Sequence, residues 1–384
     1  MEAVGRWVRS AVLLASVALL IAPGGTLVGA PSSVLREAAG LPDPGHPLPV
    51  GSTSLRTEAL RPAVSEAPCL AIGRNDGACS AHPAAPAPAA SALTWFNVTA
   101  ASSVLPDPIL WPSSVFDPVD ESVVLFGGCT GTACPSAPTT WAFAHGQWSN
   151  LTSLSAQPPA RSYTSLAWDG TDGYGLLFGG SGGTVDRGDT WSYLGGGRWT
   201  DLHLAAPAAP SPRWGQSLIY DPSDGVVVLF GGHNSVGGFL NDTWTFSGGA
   251  WTNLTASAGT PPPARAEASM VWDASTGNAI LMDGCGASVC PLNDTWRFDG
   301  HHWSNRTASA SPLPPARLLA SMSDYPALGQ VLLFGGIAGS TSMGDTWAWD
   351  GNGWTELSTG FGSSPRAREG ATMPEDLRAW TSSG

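Results

Sequence analysis

The chain of 384 residues contains no lysine; its 17 basic residues are all arginine. That absence excludes Schiff-base chemistry and a lysine general base. Charge is scarce, at 12% of residues, and the balance is acidic, with a net charge of −13. No basic stripe exists to displace counterions, which disfavours nucleic acid as a partner. No H-E-x-x-H and no phosphate-cradling glycine loop occurs. What the chain has instead is 48 Gly, 33 Pro and 18 Trp. That profile suits short strands joined by many turns around aromatic cores, and argues against helical bundles.

The N-terminus reads as a targeting segment. Arg6 and Arg9 precede an unbroken small and apolar run from Ala11 to Ala22, and Val28-Gly29-Ala30 offers a cleavage site. The run is too short to span a bilayer comfortably. Residues 1–30 are therefore expected to be a cleaved export signal, with an uncleaved signal anchor as the alternative and the sole route to a membrane. Residues 31–92, rich in Pro, Ala, Ser and Gly, are expected to form a disordered stalk.

The six cysteines fall into three close pairs: Cys69 with Cys79, Cys129 with Cys134, and Cys285 with Cys290. Local disulfides in an oxidising compartment are the simplest reading. Each closes a small loop and adds about 2 kcal/mol by the chain-entropy estimate. A metal site would need four ligands, and no histidine accompanies the two C-x4-C pairs. No cofactor is expected.

A signal returns every 52 residues: Gly127-Gly128, Gly179-Gly180, Gly231-Gly232, Asp283-Gly284 and Gly335-Gly336. A hydrophobic run precedes each, as in Val226-Val227-Val228-Leu229-Phe230. Such a period marks stacked copies of one supersecondary unit. A Pro-rich turn and an Arg open the copies, at Arg161, Arg213, Arg265, Arg317 and Arg368. A strand follows, ending in an aromatic and an Asp (Phe116-Asp117, Trp168-Asp169, Tyr220-Asp221, Trp272-Asp273). After the glycines comes Asp-Thr-Trp, beginning at Asp189, Asp242, Asp294 and Asp345, and then a second Trp at 148, 199, 251, 303 and 354. Each unit predicts four short antiparallel strands, the one before Gly-Gly buried on both faces. One such sheet cannot bury its tryptophans alone, whereas radial stacking can.

The hydrophobic run, double glycine and spaced tryptophans resemble the kelch repeat over roughly three quarters of the chain. The resemblance implies an all-β propeller over residues 93–373, with one blade per copy. Copy one departs with Ile109 for the Arg and Thr139 for the Asp, copy four with Asp283 for a glycine, and copy five with Asp324-Tyr325. Trp95 to Thr99 matches the last strand of a blade and Arg368 to Met373 the first. The arithmetic thus predicts five complete four-stranded blades plus an incomplete sixth, with residues 374–384 a truncated tail.

In kelch propellers the first strand is innermost, so the resemblance allows the five arginines to ring one mouth of the central channel and bind an anionic ligand. The other reading pairs each Arg with the Asp of its Asp-Thr-Trp, and the joint absence of both in copy one favours it. Sequons at Asn97, Asn150, Asn253 and Asn305 follow a final Trp by two residues, and others lie at Asn241 and Asn293; they are either glycosylation sites or strand consensus. Galactose oxidase shares this fold, but its copper site needs a Cys-linked Tyr, a second Tyr and two His, which show no grouping here. The Asp-box of sialidase propellers is absent. The expected protein is a secreted or cell-surface propeller that binds an extracellular protein or glycan. The alternative is an extracellular carbohydrate-active or oxidase-like enzyme on the same scaffold.

Overall fold

A computed structural model describes residues 19–20, 95–97, 102–130, 133–135, 137–152, 156–202, 209–358 and 364–374. Most of the expected signal, the whole stalk with Cys69 and Cys79, and residues 375–384 lie outside the described residues. Among those described, no helix is long and apolar enough to cross a membrane.

Five four-stranded antiparallel sheets form five propeller blades. Blade I is Ser113–Asp117, Ser122–Phe126, Thr140–Ala144 and Gln147–Asn150. Blade II is Ser165–Asp169, Tyr174–Phe178, Thr190–Tyr193 and Trp199–Asp201. Blade III is Ser217–Asp221, Val226–Asn234, Gly238–Ser247 and Ala250–Asn253. Blade IV is Ser269–Asp273, Asn278–Met282, Thr295–Phe298 and Trp303–Asn305. Blade V is Ser321–Tyr325, Gln330–Phe334, Thr346–Trp349 and Trp354–Glu356. The first strands of successive blades lie side by side around a central channel.

The hairpin after each first strand explains the recurring Asp. In blades I to IV its Oδ1 accepts backbone N–H groups two and three residues on, as Asp169 does from Thr171 and Asp172. Blade V, ending in Tyr325, makes the turn with a 3-10 segment, Pro326–Leu328, instead.

The core lies between blades. Strand two alternates its side chains, and since both faces are covered, both sets are apolar. Val124 and Phe126 of blade I meet Leu166, Leu177 and Trp199 of blade II. The same pairing repeats between blades II and III, III and IV, and IV and V. In blades II to IV the final Trp packs on the Phe that ends strand two of the preceding blade: Trp199 on Phe126, Trp251 on Phe178 and Trp303 on Phe230, at 4.8–5.1 Å. Each indole N–H then donates to a Thr of that blade's third strand: Trp199 to Thr140, Trp251 to Thr190, Trp303 to Thr243 and Trp354 to Thr295. A buried indole with its N–H satisfied gives both area and register.

The two ends of the array are also occupied. Trp95 packs on Phe334 of blade V at 5.2 Å, the place a following blade's final Trp would take. Residues 371–374 line the channel beside the five first strands. Within the segment expected to be an export signal, Leu19–Leu20 pairs antiparallel with Trp95–Phe96.

The double glycine marks the joint between blades. At Gly231, φ +66°, a Cβ would lie 2.7 Å from the Arg265 carbonyl oxygen. The second, Gly232, donates its N–H to that same oxygen at 2.8 Å. Gly249, at φ +80°, stands in open space. We expect Gly249→Ala to cost about 1 kcal/mol, the left-handed penalty alone. Gly231→Ala adds a backbone clash and should cost at least twice that in denaturant unfolding; equal costs would contradict the close approach.

Candidate functional site

The arginines do not ring the channel mouth. Arg161, Arg213, Arg265 and Arg317 are at most 1% exposed. Each guanidinium makes a two-pronged bond to the Asp of its own copy, Asp189, Asp242, Asp294 or Asp345, at 2.6–2.8 Å. Nη1 also donates to the carbonyl of residue 179, 231, 283 or 335, the first of the glycine pair. Nε donates to the carbonyl two residues back, which is what the Pro-rich turn positions. The same carboxylates accept the indole N–H of Trp191, Trp244, Trp296 and Trp347 at 2.7 Å.

Burial alone would raise these four carboxyls. The guanidinium bonds, seconded by the indoles, hold them below the usual carboxylate range. The fork is fully engaged inside the wall, so the channel-mouth role expected of these arginines is corrected. Arg368 is half-buried and donates through Nε to the Arg366 carbonyl. Copy one fills the same space apolarly: Ile109 is buried with Phe116, Val123 and Leu125.

The mouth is built by the residue two places after each arginine, and after Ile109 in copy one. Trp111, Tyr163, Gly215, Glu267 and Leu319 recur at 52-residue intervals, and Gly370 follows after 51. All six have left-handed backbones, with φ from 52° to 65°. They are linked head to tail: Tyr163 donates its N–H to the Trp111 carbonyl, Gly215 to Tyr163, Glu267 to Gly215, Leu319 to Glu267 and Gly370 to Leu319, at 2.7–3.3 Å. Below this ring Ser165, Ser217, Ser269 and Ser321 each donate to a carbonyl of the next inner segment, of Gln216, Ala268, Ala320 and Ala371.

The ring encloses a cavity of about 130 Å3. Trp111 stacks on Tyr163 with ring centroids 4.6 Å apart, and Tyr163 tilts against Trp214 at 5.4 Å. His233 continues the aromatic line from Trp214 to Phe239. The Glu267 side chain lies along Gly215, and desolvation pushes its carboxyl up to about 7. Burial, with the Glu267 and Glu369 carboxylates nearby, raises the Tyr163 hydroxyl. The mouth is thus aromatic and acidic. Stepping two residues on from each arginine in the sequence would have found it.

Cys129 bonds to Cys134 and Cys285 to Cys290, each with a Cα separation of 4.4 Å. Both loops join strands two and three, on the face of the mouth: Cys129 bridges Leu110 and Cys285 bridges Ala266. Two disulfides fit an oxidising environment. Gly179-Gly180-Ser181-Gly182-Gly183 spells G-x-S-x-G, but it leads from a strand into a loop and the Ser181 hydroxyl accepts the Gly183 N–H. No strand-to-helix elbow exists there.

Asn97, Asn150, Asn253 and Asn305 are exposed. The last three accept the N–H of Thr152, Thr255 and Thr307. Those threonine hydroxyls in turn accept the N–H of Thr140, Thr243 and Thr295 in strand three, and Ser358 accepts that of Thr346 in blade V without an Asn. The Asn-x-Thr pattern therefore has a strand-ending role of its own.

A four-stranded unit repeated around a channel, with a buried arginine at each joint between the five blades, defines a β-propeller. Residues 194–375 match the model of the KLHDC2/KLHL20/DRC7 Kelch-repeats domain, and this match together with the five-bladed fold supports a kelch-repeat propeller family. The chain is also similar to tRNA wybutosine-synthesizing protein 4 of Emericella nidulans, 29% identical over 183 residues, which is 42% of this chain. The match spans 17% of that protein's length.

Asp283 replaces the first glycine in blade IV, at φ 63°, and is fully buried. Its carboxylate accepts the backbone N–H of Ser269 at 2.7 Å and its hydroxyl at 3.1 Å, yet desolvation pushes it up to about 8. A folded-state value above the unfolded 3.8 means stability is full below about pH 4 and is lost as pH rises through 8. Each unit of displacement corresponds to roughly 1.4 kcal/mol. Asp283→Asn, which tolerates the left-handed backbone, should flatten the fall in Tm between pH 5 and 9. An unchanged slope would contradict this role for Asp283.

Proposed function

We propose that this protein is an exported recognition propeller that grips a protein partner with the face bearing the channel mouth. The loops joining strands two and three surround that mouth, and three consecutive ones carry an outward valine: Val185 (61% exposed), Val236 (98%) and Val289 (55%). That repetition at one face carries the reading, since scattered apolar residues alone would mean nothing. The loops also brace one another: Ser235 donates its N–H to Asp186 of the neighbouring loop. A braced rim with apolar tips suits a protein surface better than a glycan, which would be met by polar groups and flat rings. Such a rim binds at low ordering cost.

Export rests on the N-terminal run and the two disulfides. We further infer that Trp95 and residues 371–374 belong to an incomplete sixth blade; the packing of Trp95 on Phe334 and the position of residues 371–374 along the channel support this. The anionic partner expected from an arginine ring loses its basis. The tRNA chemistry in the relative's name is not carried over, given the small share of that protein matched and the acidic balance of this chain.

The test is selection of binders from a displayed library of extracellular protein domains. Binders should lose at least tenfold in affinity toward a Val185→Arg, Val236→Arg, Val289→Arg variant. They should tolerate Val119→Arg, an exposed valine in the blade I hairpin on the opposite face. Binders indifferent to the triple variant would sink the proposal.

A further inference from the structure

The six ring residues pose a question that the propeller joints do not answer. Four of them, Trp111, Tyr163, Glu267 and Leu319, have side chains in a backbone conformation that favours glycine. Non-glycine residues in that region are strained and cluster where a ligand is held. Gly215 and Gly370 occupy the other two places, so the geometry itself is met by glycine. The side chains at the remaining four are an addition to what the joint requires.

Three of them converge on one chemistry. Trp111 and Tyr163 form a stacked pair, extended by Trp214, and present ring faces and edges at the mouth. Glu267 stands in the same ring, half-buried, and lines the same cavity. Among the described residues its carboxylate makes no ion pair or side-chain hydrogen bond. The second acid nearby, Glu369, is already engaged by the Ser342 hydroxyl. An aromatic wall beside an unmatched carboxylate is the donor set that holds an organic cation.

We propose that the channel mouth binds an ammonium or guanidinium head group, supplied by a lysine or arginine side chain of the protein partner, between the Trp111–Tyr163 stack and the Glu267 carboxylate. The size agrees: about 130 Å3 is well under the roughly 300–1,000 Å3 of drug-sized ligand sites, enough for a head group and too little for a folded segment. The charge agrees as well, since a chain at −13 draws basic partners toward it. Desolvation raises the Glu267 carboxyl, and a bound cation relieves that cost.

This inference rests on the protein-binding reading of the face, and its test separates the two. Isothermal titration of the full chain at pH 8 would compare short peptides differing only in a central Lys, Arg, Gln or Glu, with tetramethylammonium as a free cation. The Lys and Arg peptides should bind at least tenfold more tightly than the Gln and Glu peptides. Glu267→Gln should remove that preference while leaving Tm within a few degrees, and Trp111→Leu should weaken both basic peptides. Competition by tetramethylammonium would support recognition of the cation itself. Equal binding of all four peptides, or a preference that survives Glu267→Gln, would overturn the proposal. Partners from the displayed library that need the valine rim but ignore Glu267→Gln would overturn it too, and leave the protein-binding reading standing.

Discussion

Each of the four buried arginines, Arg161, Arg213, Arg265 and Arg317, is held at both ends. Its carbonyl sits on the double glycine of the preceding blade, as Arg265 does on Gly231 and Gly232, while its guanidinium is locked to the aspartate of its own blade. One residue therefore fixes the position of two blades. The glycines are required by the approach of that carbonyl, the Pro-rich turn by the Nε bond, and the Asp by the fork. The 52-residue signature is the imprint of this joint on the sequence.

A charged pair so deeply buried stabilises little by itself, because desolvation offsets much of the attraction, but breaking it strands a charge. Its value is geometric: two parallel bonds and a planar fork admit one arrangement. The apolar surfaces between blades supply the driving force, and the pair sets how the surfaces meet. Copy one shows the alternative, with Ile109 packed where an arginine would be and Thr139 where its aspartate would be. Losing both partners together costs far less than losing one.

Much of this was legible in the sequence because a repeat supplies its own alignment. The four Gly-Gly signals and Asp283-Gly284, the strand before each, and the second Trp of each copy all fall where the period put them, and the C-x4-C pairs form disulfides. The arginine side chains were harder. Both readings were open, since pairing with the repeated aspartate and pointing into the channel fit the same spacing. Only the depth of the side chains decides between them, and depth is not a property of spacing. The mouth was missed for a different reason: Trp111, Tyr163, Gly215, Glu267 and Leu319 share a backbone conformation but no chemistry, so a comparison of residue types passes over them. Glu267 in particular looks like an ordinary surface acid until the ring is assembled. The roles of Asn150, Asn253 and Asn305 were hidden because a sequon and a strand-ending turn use the same three residues.

The joint is tested most directly by a double-mutant cycle on Arg213 and Asp242, read by denaturant unfolding. Arg213→Met alone and Asp242→Leu alone should each destabilise by about 3–5 kcal/mol, by leaving the other charge buried and unmatched. The double variant should cost clearly less than the sum, with a coupling of about 2 kcal/mol. Strictly additive losses, or an Arg213→Met protein as stable as the parent, would contradict the claim that this pair fixes one blade on the next.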